Sequence, residues 1–297
     1  MKASVLINNF NYARYLGEAI DSALSQDFED FEVVVVDDGS TDSSREVVAS
    51  YGDRIVPVLK LNGGQASSFN AGFAASRGDI VFLLDADDAF LPGKLARVAA
   101  IYAANGVDWC FDRVTTAEGS ASPAELQVTP VDKRDRLRQG KFPSLPVPTS
   151  GLSFKREALA KILPMPVAAD VVLSDNYLKF AAAYLGRGAV IDTPLTFQRL
   201  HAANRYTGAH AGSLRPKIMV ETGLELARRY DGLKALGKSL VAGGLAEGDL
   251  PPSRLWNEIR RVTSDGTFGS DGAARIAALV AYKRLGQLFH PREAAAS

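Results

Sequence analysis

The 297-residue sequence predicts an α/β fold built on a mostly parallel central sheet with helices on its faces. Two observations predict it. Short apolar, β-branched runs alternate with segments of helical spacing over roughly the first hundred residues. In addition, the polar clusters Asn8-Asn9, Asp37-Asp38, Asn62-Gly63-Gly64 and Asp85-Ala86-Asp87-Asp88 each follow a predicted strand. Strand–helix–strand crossovers give parallel pairing, and open sheets of this kind bind ligands at the carboxyl ends of their strands. The clusters therefore gather on one edge and define a site there.

The elements follow in order. Ser4–Ile7 reads as a first strand and Ala13–Ser25 as a helix, with Ile20, Ala23 and Leu24 on one face. Phe31–Val36 is a continuous β-branched run, as in a strand covered on both faces. It ends in Asp37-Asp38-Gly39-Ser40-Thr41-Asp42, where Thr41 or Asp42 can cap the next helix. Ile55–Leu59 is the next strand, Gln65–Ser76 a helix rich in small residues, and Ile80–Leu84 a strand running straight into Asp85. A helix follows from about Pro92, a residue suited to a first turn. Val107–Val114 and Ser150–Phe154 read as strands, with residues 117–148, rich in Ser, Pro and charge, as a long loop between them. Ser174-Asp175-Asn176 opens a helix over Leu173–Tyr184, Ala189–Phe197 is a further strand, and from about Ser213 the pattern is helical, broken at Pro251-Pro252. This gives a nucleotide-binding half over 1–115, an acceptor-binding half of the same domain over 116–210, and a helical region over 211–297.

Composition narrows the function. Lys plus Arg (34) balances Asp plus Glu (34), which leaves no global field for nucleic acid or an anionic membrane. The lone Cys110 makes no internal disulfide, and no Cys/His cluster offers a zinc site. The first apolar run is too short for a secretory segment, and no stretch approaches the ~18–20 residues of a spanning helix. A cytoplasmic protein without a transmembrane segment is expected, with the inner face of the membrane as an alternative location.

Three carboxylates in four positions, Asp85, Asp87 and Asp88, repel one another unless a cation or a ligand's donors sit among them. Their oxygens suit Mg²⁺ or Mn²⁺, ions that keep positions open for a diphosphate. Alone the run reads as a capped turn; its place beside the other strand-end clusters favours a site. An Asp ending a second strand commonly bonds a nucleotide's ribose or base, so Asp38 is read as a base acceptor. Asn8 can bond a base edge, and Phe10 can pack on a flat ring. Asp175 can serve as a general base or simply favour a helix start. Arg199 and His201, two apart on an extended segment, can reach a diphosphate or the metal, whereas His210 and His290 read as surface residues. The run Gly232 to Ser239 matches the phosphate-loop pattern but follows a helical segment, and is read as coincidence.

On these stretches the sequence resembles glycosyltransferase family 2, inverting nucleotide-sugar transferases of the GT-A fold. The resemblance rests on Ser4–Asn11, on Val34 to Asp42, on Asn62-Gly63-Gly64 through Asn70-Ala71-Gly72, and on Phe82-Leu83-Leu84-Asp85-Ala86-Asp87-Asp88. Thinner matches are Thr149–Arg156, Ser174-Asp175, and Arg199-Leu200-His201 with Asn204. The resemblance implies a donor site of Asn8, Phe10, Asp38, Asn62, Asp85, Asp87 and Arg199. It implies a metal, Mn²⁺ or Mg²⁺, held by Asp87 and Asp88 with His201, and Asp175 as the base that deprotonates the acceptor. The donor is expected to be a nucleotide-sugar, with UDP as the expected nucleotide. The acceptor would be a sugar or a lipid-linked molecule in surface polysaccharide or glycoconjugate synthesis.

The family often has Glu-Asp where this chain has Ser174-Asp175, and often an Arg where it has Phe69. Lacking Q-x-x-R-W, the chain reads as a single-addition enzyme. The alternatives are a sugar nucleotidyltransferase, which wants a Gly-rich basic N-terminal loop, and a non-catalytic nucleotide-sugar-binding module. The stretch Arg275–Phe289 reads as a packed or dimerising helix, with peripheral membrane contact as the second reading.

Overall fold

A computed structural model describes residues 1–117, 125–167, 173–201, 211–248 and 250–289. Asn204, His210 and His290 lie outside the described residues. The chain divides into two compact units. The first comprises Met1–Lys133, Ser144–Ala169 and Leu178–Leu200; the second comprises Arg134–Pro143, Asp170–Tyr177 and His201–Ser297.

The first unit carries the sheet. In chain order its elements begin β1 (Ala3–Asn9), α1 (Ala13–Leu24), β2 (Phe31–Asp38), α2 (Ser44–Ser50), β3 (Val56–Lys60), α3 (Gly64–Ala75), β4 (Ile80–Asp85), β5 (Ala89–Phe90), α4 (Lys94–Asn105) and β6 (Trp109–Thr115). β7 (Val128–Val131) follows. The short α5 (Arg134–Arg138), of the second unit, precedes β8 (Leu152–Lys155), α6 (Arg156–Leu159), α7 (Asp175–Leu185, of which Asp175–Tyr177 count with the second unit) and β9 (Gly188–Phe197). Among the described residues the strands form one sheet in the order β3-β2-β1-β4-β8-β6-β9-β5, with β7 pairing on β9. Pairing is parallel where helices cross over, in β3-β2-β1-β4 and β6-β9. It is antiparallel where β8 inserts between β4 and β6, and where β5 and β7 meet β9.

The β-branched runs are buried for the reason their composition suggests. Val5, Ile7, Val33, Val35, Phe82 and Leu84 form one core with Leu16 and Ile20 of α1 and Leu95 and Val98 of α4. The alternate residues Leu6 and Val36 face α3 so closely that a Cβ on Gly72 would stand 3.1 Å from Val36 Cγ2. That contact explains why this helix is built of small residues.

Several expectations change. The 117–148 stretch is not wholly a loop, because it contains β7 and α5. The Pro130 of β7 hid the strand; it is tolerated because β7 pairs on one side only. The fourth helix starts at Lys94 rather than Pro92, since Gly93, in the left-handed region (φ +75), turns the chain first. The N-cap of α2 is Ser43 rather than Thr41 or Asp42; Asp42, one residue earlier, accepts from Ser44 N (3.0 Å) and from Ala13 N (2.9 Å).

The second unit is helical. It contains α8 (Ala211–Arg229), α9 (Lys234–Glu247), α10 (Pro252–Thr263) and α11 (Gly272–Phe289). A core of Val220, Leu224, Val241, Leu245, Ile259, Val262, Phe268, Ile276 and Val280 holds them together. The phosphate-loop look-alike lies largely in α9, preceded by a helix rather than a strand. Its Gly237 serves helix packing, for a Cβ there would stand 2.5 Å from the Gly223 carbonyl of α8. No helix among the described residues is long and apolar enough to cross a membrane.

Candidate active site

Parallel register brings the strand ends together. Asn8 of β1 lies opposite Val36 of β2 on one side and Asp85 of β4 on the other, and Asn9 lies opposite Asp37. The β1–α1 and β2–α2 turns are clipped to each other. Asn9 Nδ2 donates to Asp37 (3.0 Å) and Ser40 (3.1 Å), Asn11 N donates to Ser40 Oγ (2.9 Å), and Thr41 N donates to Asn11 Oδ1 (2.8 Å). Phe10, 37% exposed, stands on this braced turn. Asn8 differs from Asn9, of which only Oδ1 lacks a partner. The side-chain Nδ2 and Oδ1 of Asn8 are both shielded from solvent, and neither has a hydrogen-bond partner. Buried polar atoms are normally paired, so an unpaired donor and acceptor at a strand-end edge call for a ligand that supplies both.

The two carboxylates of the second strand are held by the protein. Burial alone would raise the Asp37 carboxyl, but hydrogen bonds from Ser40, Arg45 and Asn9 outweigh it and hold the group below its usual range. Asp38 is ion-paired with Lys60 and accepts from Gly63 N (2.9 Å) and Gly64 N (2.8 Å), capping α3. Asn62 Nδ2 donates to the Asp38 carbonyl (3.0 Å). Gly39 makes this closure feasible, for at φ +77 a Cβ would meet Asn62 N at 2.6 Å. A carboxylate offers about four acceptor positions, so after these three donors Asp38 keeps one.

The acidic run is tied from both sides. Asp85 N donates to Ser150 Oγ (3.0 Å), and the Ser150 hydroxyl donates to Asp88 Oδ2 (2.6 Å). Arg199 N donates to Asp88 Oδ1 (3.0 Å) and Arg199 Nε to the Asp87 carbonyl (3.3 Å). The Arg199 guanidinium pairs with Glu18 (2.6 Å) and lies 5.0 Å from the Tyr15 ring. Asp87 and Asp88 are buried and Asp85 half-buried. Burial, followed by the charge of Asp87, pushes the Asp88 carboxyl up to about 7. A divalent cation fits this loop, because it would relieve that penalty and its hard character matches carboxylate oxygens. Among the described residues no three His, Cys, Asp or Glu side chains converge as a complete metal cage.

Asp175 and His201 belong to the second unit. Asp175 is the first residue of α7, where Ser174 Oγ accepts from Asn176 N (3.3 Å); both Asp175 and His201 are half-buried. Sequence reasoning missed Ser150, Glu18, Tyr15 and Lys94. Only Ser150 stood in a stretch singled out in advance. The others carry no local signal, because tertiary pairing brings them to the acidic run.

A mixed sheet whose strand-end edge carries a braced turn and an acidic loop, with helices behind, is the GT-A architecture. The glycosyl transferase family 2 model matches residues 4–163, and the chain belongs to that family. It is 35% identical over 240 residues to the uncharacterized glycosyltransferase alr2836 of Nostoc sp. (strain PCC 7120), covering 77% of this chain and 74% of that protein. The crystal structure of S. aureus TarS 1-349 in complex with UDP-GlcNAc is similar at TM-score 0.65 and 18% identity, covering 96% of this chain and 92% of that one. The mannosyltransferase PcManGT from Pyrobaculum calidifontis, solved with GDP-Man and Mn²⁺, is similar at TM-score 0.52 and 20% identity, covering 96% and 87%. The chain is thus a glycosyltransferase of the GT-A fold.

Proposed function

We propose that this glycosyltransferase moves a sugar, with inversion, from a nucleoside-diphosphate donor to an acceptor hydroxyl in surface-polysaccharide or glycoconjugate synthesis. UDP is the expected nucleotide, and Mn²⁺ or Mg²⁺ the cofactor. The observation that carries the donor reading is Asn8, whose buried amide leaves a donor and an acceptor unpaired beside the acidic run. The edge of a base supplies both partners. The TarS and PcManGT complexes, with UDP-GlcNAc and with GDP-Man and Mn²⁺, support a nucleotide-sugar donor and a cation.

In this reading Asn8 and the remaining acceptor position of Asp38 read the base, and Phe10 stacks on it. Asn62, Asp85, Asp87 and Arg199 line the donor. Asp87 and Asp88, with His201, would hold the cation, which would supply positive charge against the leaving diphosphate. The acceptor oxygen attacks the anomeric carbon on the face opposite the diphosphate. The bond to the diphosphate breaks with its electron pair leaving on the phosphate oxygen, and the hydroxyl proton passes to Asp175. The braced β1–α1 turn contributes alignment.

Thermal shift with a panel of nucleoside diphosphates, with and without Mn²⁺, tests the donor site. One nucleotide should stabilise the chain, and more so with metal; a panel without effect overturns the reading. Asp175→Asn should keep that stabilisation and lose transfer by roughly 10²–10⁴-fold. Full transfer in the variant removes Asp175 as the base.

A further inference from the structure

Behind the acidic run lies a charged pair that the transfer chemistry does not use. Lys94, the first residue of α4, is fully buried, as is Asp112 of β6. Their charges stand 2.8 Å apart. Lys94 Nζ also donates to the Ser150 carbonyl (2.7 Å) and to Thr196 Oγ1 of β9 (2.6 Å). Thr196 in turn bonds Asp112 Oδ2 (2.8 Å). The Phe90 ring lies 4.1 Å from the ammonium. A buried ion pair pays heavily in desolvation, and apolar residues of similar volume are often neutral or stabilising in its place.

What the pair does is hold one turn. Ser150 sits in the single helical turn Thr149–Gly151 that leads into β8. Its carbonyl accepts from Lys94 and from Thr196 Oγ1 (3.1 Å), while its hydroxyl reaches the other way to Asp88 Oδ2 and receives Asp85 N. Gly151 lets this turn press on β6, for a Cβ there would stand 2.2 Å from the Asp112 carbonyl. The same strand thus anchors the turn through its backbone at Gly151 and through the Asp112–Lys94 pair at Ser150.

We infer that Ser150, fixed from behind by the buried Lys94–Asp112 pair, is a positioning residue that sets the orientation of the Asp88 carboxylate toward the bound cation. The inference rests on the proposed donor site. It assigns to Ser150 the part that hydrogen-bonding partners of metal ligands commonly take, whose loss weakens metal binding about 10–100-fold. Asp88 cannot turn within the loop while one oxygen accepts from Ser150 and the other from Arg199 N. Removing the hydroxyl frees one end of that clamp.

The experiment compares the parent chain, S150A and the double variant K94M/D112L. Mn²⁺ affinity is measured by electron paramagnetic resonance with the nucleoside diphosphate that gives the largest thermal shift; nucleotide affinity without metal and the melting temperature are measured in parallel. We expect S150A to bind nucleotide as the parent does and Mn²⁺ about 10–100-fold more weakly. K94M/D112L should melt no lower than the parent and show the same selective loss. An S150A protein that binds Mn²⁺ within twofold of the parent overturns the inference, as does an equal loss of nucleotide and metal binding. If K94M/D112L does not fold, S150A decides alone. A parent chain that binds no Mn²⁺ overturns the donor-site reading, and the inference with it.

Discussion

Two acidic strand ends, Asp37-Asp38 and Asp85 to Asp88, share one sheet edge and have opposite electrostatics. The first is paired largely within the protein, with one acceptor position of Asp38 left over. Arg45 and Lys60 supply cations, and Asn9, Ser40, Gly63 and Gly64 supply N–H donors. Its Asp37 carboxyl is held below the usual range. The second has a serine hydroxyl and a backbone N–H on Asp88, whose carboxyl is pushed up to about 7. Lys94, whose charge also acts on Asp88, is paired with Asp112. Identical side chains at equivalent ends therefore do different work. The first pair builds the turn that carries Phe10 and closes on α3, while the second stores an electrostatic penalty that a divalent cation can release.

The sharpest way to break this comparison is by pH. Asp88 has a folded-state value near 7, above the 3.8 expected of an unfolded carboxyl. The folded chain thus holds this proton more tightly, and the metal-free protein should lose stability as pH rises from about 4 to 7. The contribution is on the order of 4 kcal/mol at most. Asp88→Asn should flatten that part of the profile and raise the melting temperature at pH 8 relative to the metal-free parent, while the Mn²⁺ response is lost. Calorimetric profiles of the two proteins, superimposed from pH 4 to 8, would contradict the burial argument.

Asp37 has the opposite sign and a smaller effect. Its carboxyl is depressed, so it contributes stability above the unfolded value and loses it as pH falls through the folded one. Asp37→Ala leaves Arg45, Asn9 and Ser40 short of a partner and should cost about 2–3 kcal/mol in urea unfolding at pH 7. Mn²⁺ affinity should change little. A larger change in Mn²⁺ affinity than in stability would erase the distinction between the two strand ends.

Both strand ends were legible in the sequence, but their difference was not. The runs Phe31–Val36 and Ile80–Leu84 announce buried strands because β-branched residues crowd them, and Asp residues at their ends mark the edge. Whether an Asp is satisfied depends on distant partners. Arg45 and Lys60 follow Asp37 and Asp38 within one β–α–β unit, whereas Ser150 and Arg199 reach Asp88 across 62 and 111 residues. Lys94 looks in the sequence like an ordinary helix-surface cation, and only the pairing of β6 with β8 and β9 reveals that it is buried. β7 and β5 escaped notice for the same reason, since each is a short run stabilised by β9 rather than by its own pattern.

The central claim is that the second strand end holds a cation against a donor's diphosphate. Crystals of the chain grown with UDP and Mn²⁺, measured for anomalous scattering at the manganese edge, test it most directly. The account predicts a single strong peak within about 2.5 Å of oxygens from Asp87 and Asp88, with the diphosphate completing its shell and the base edge meeting the Asn8 amide. Nucleotide bound with Asn8 unpaired, or manganese ordered away from the acidic run, would contradict it.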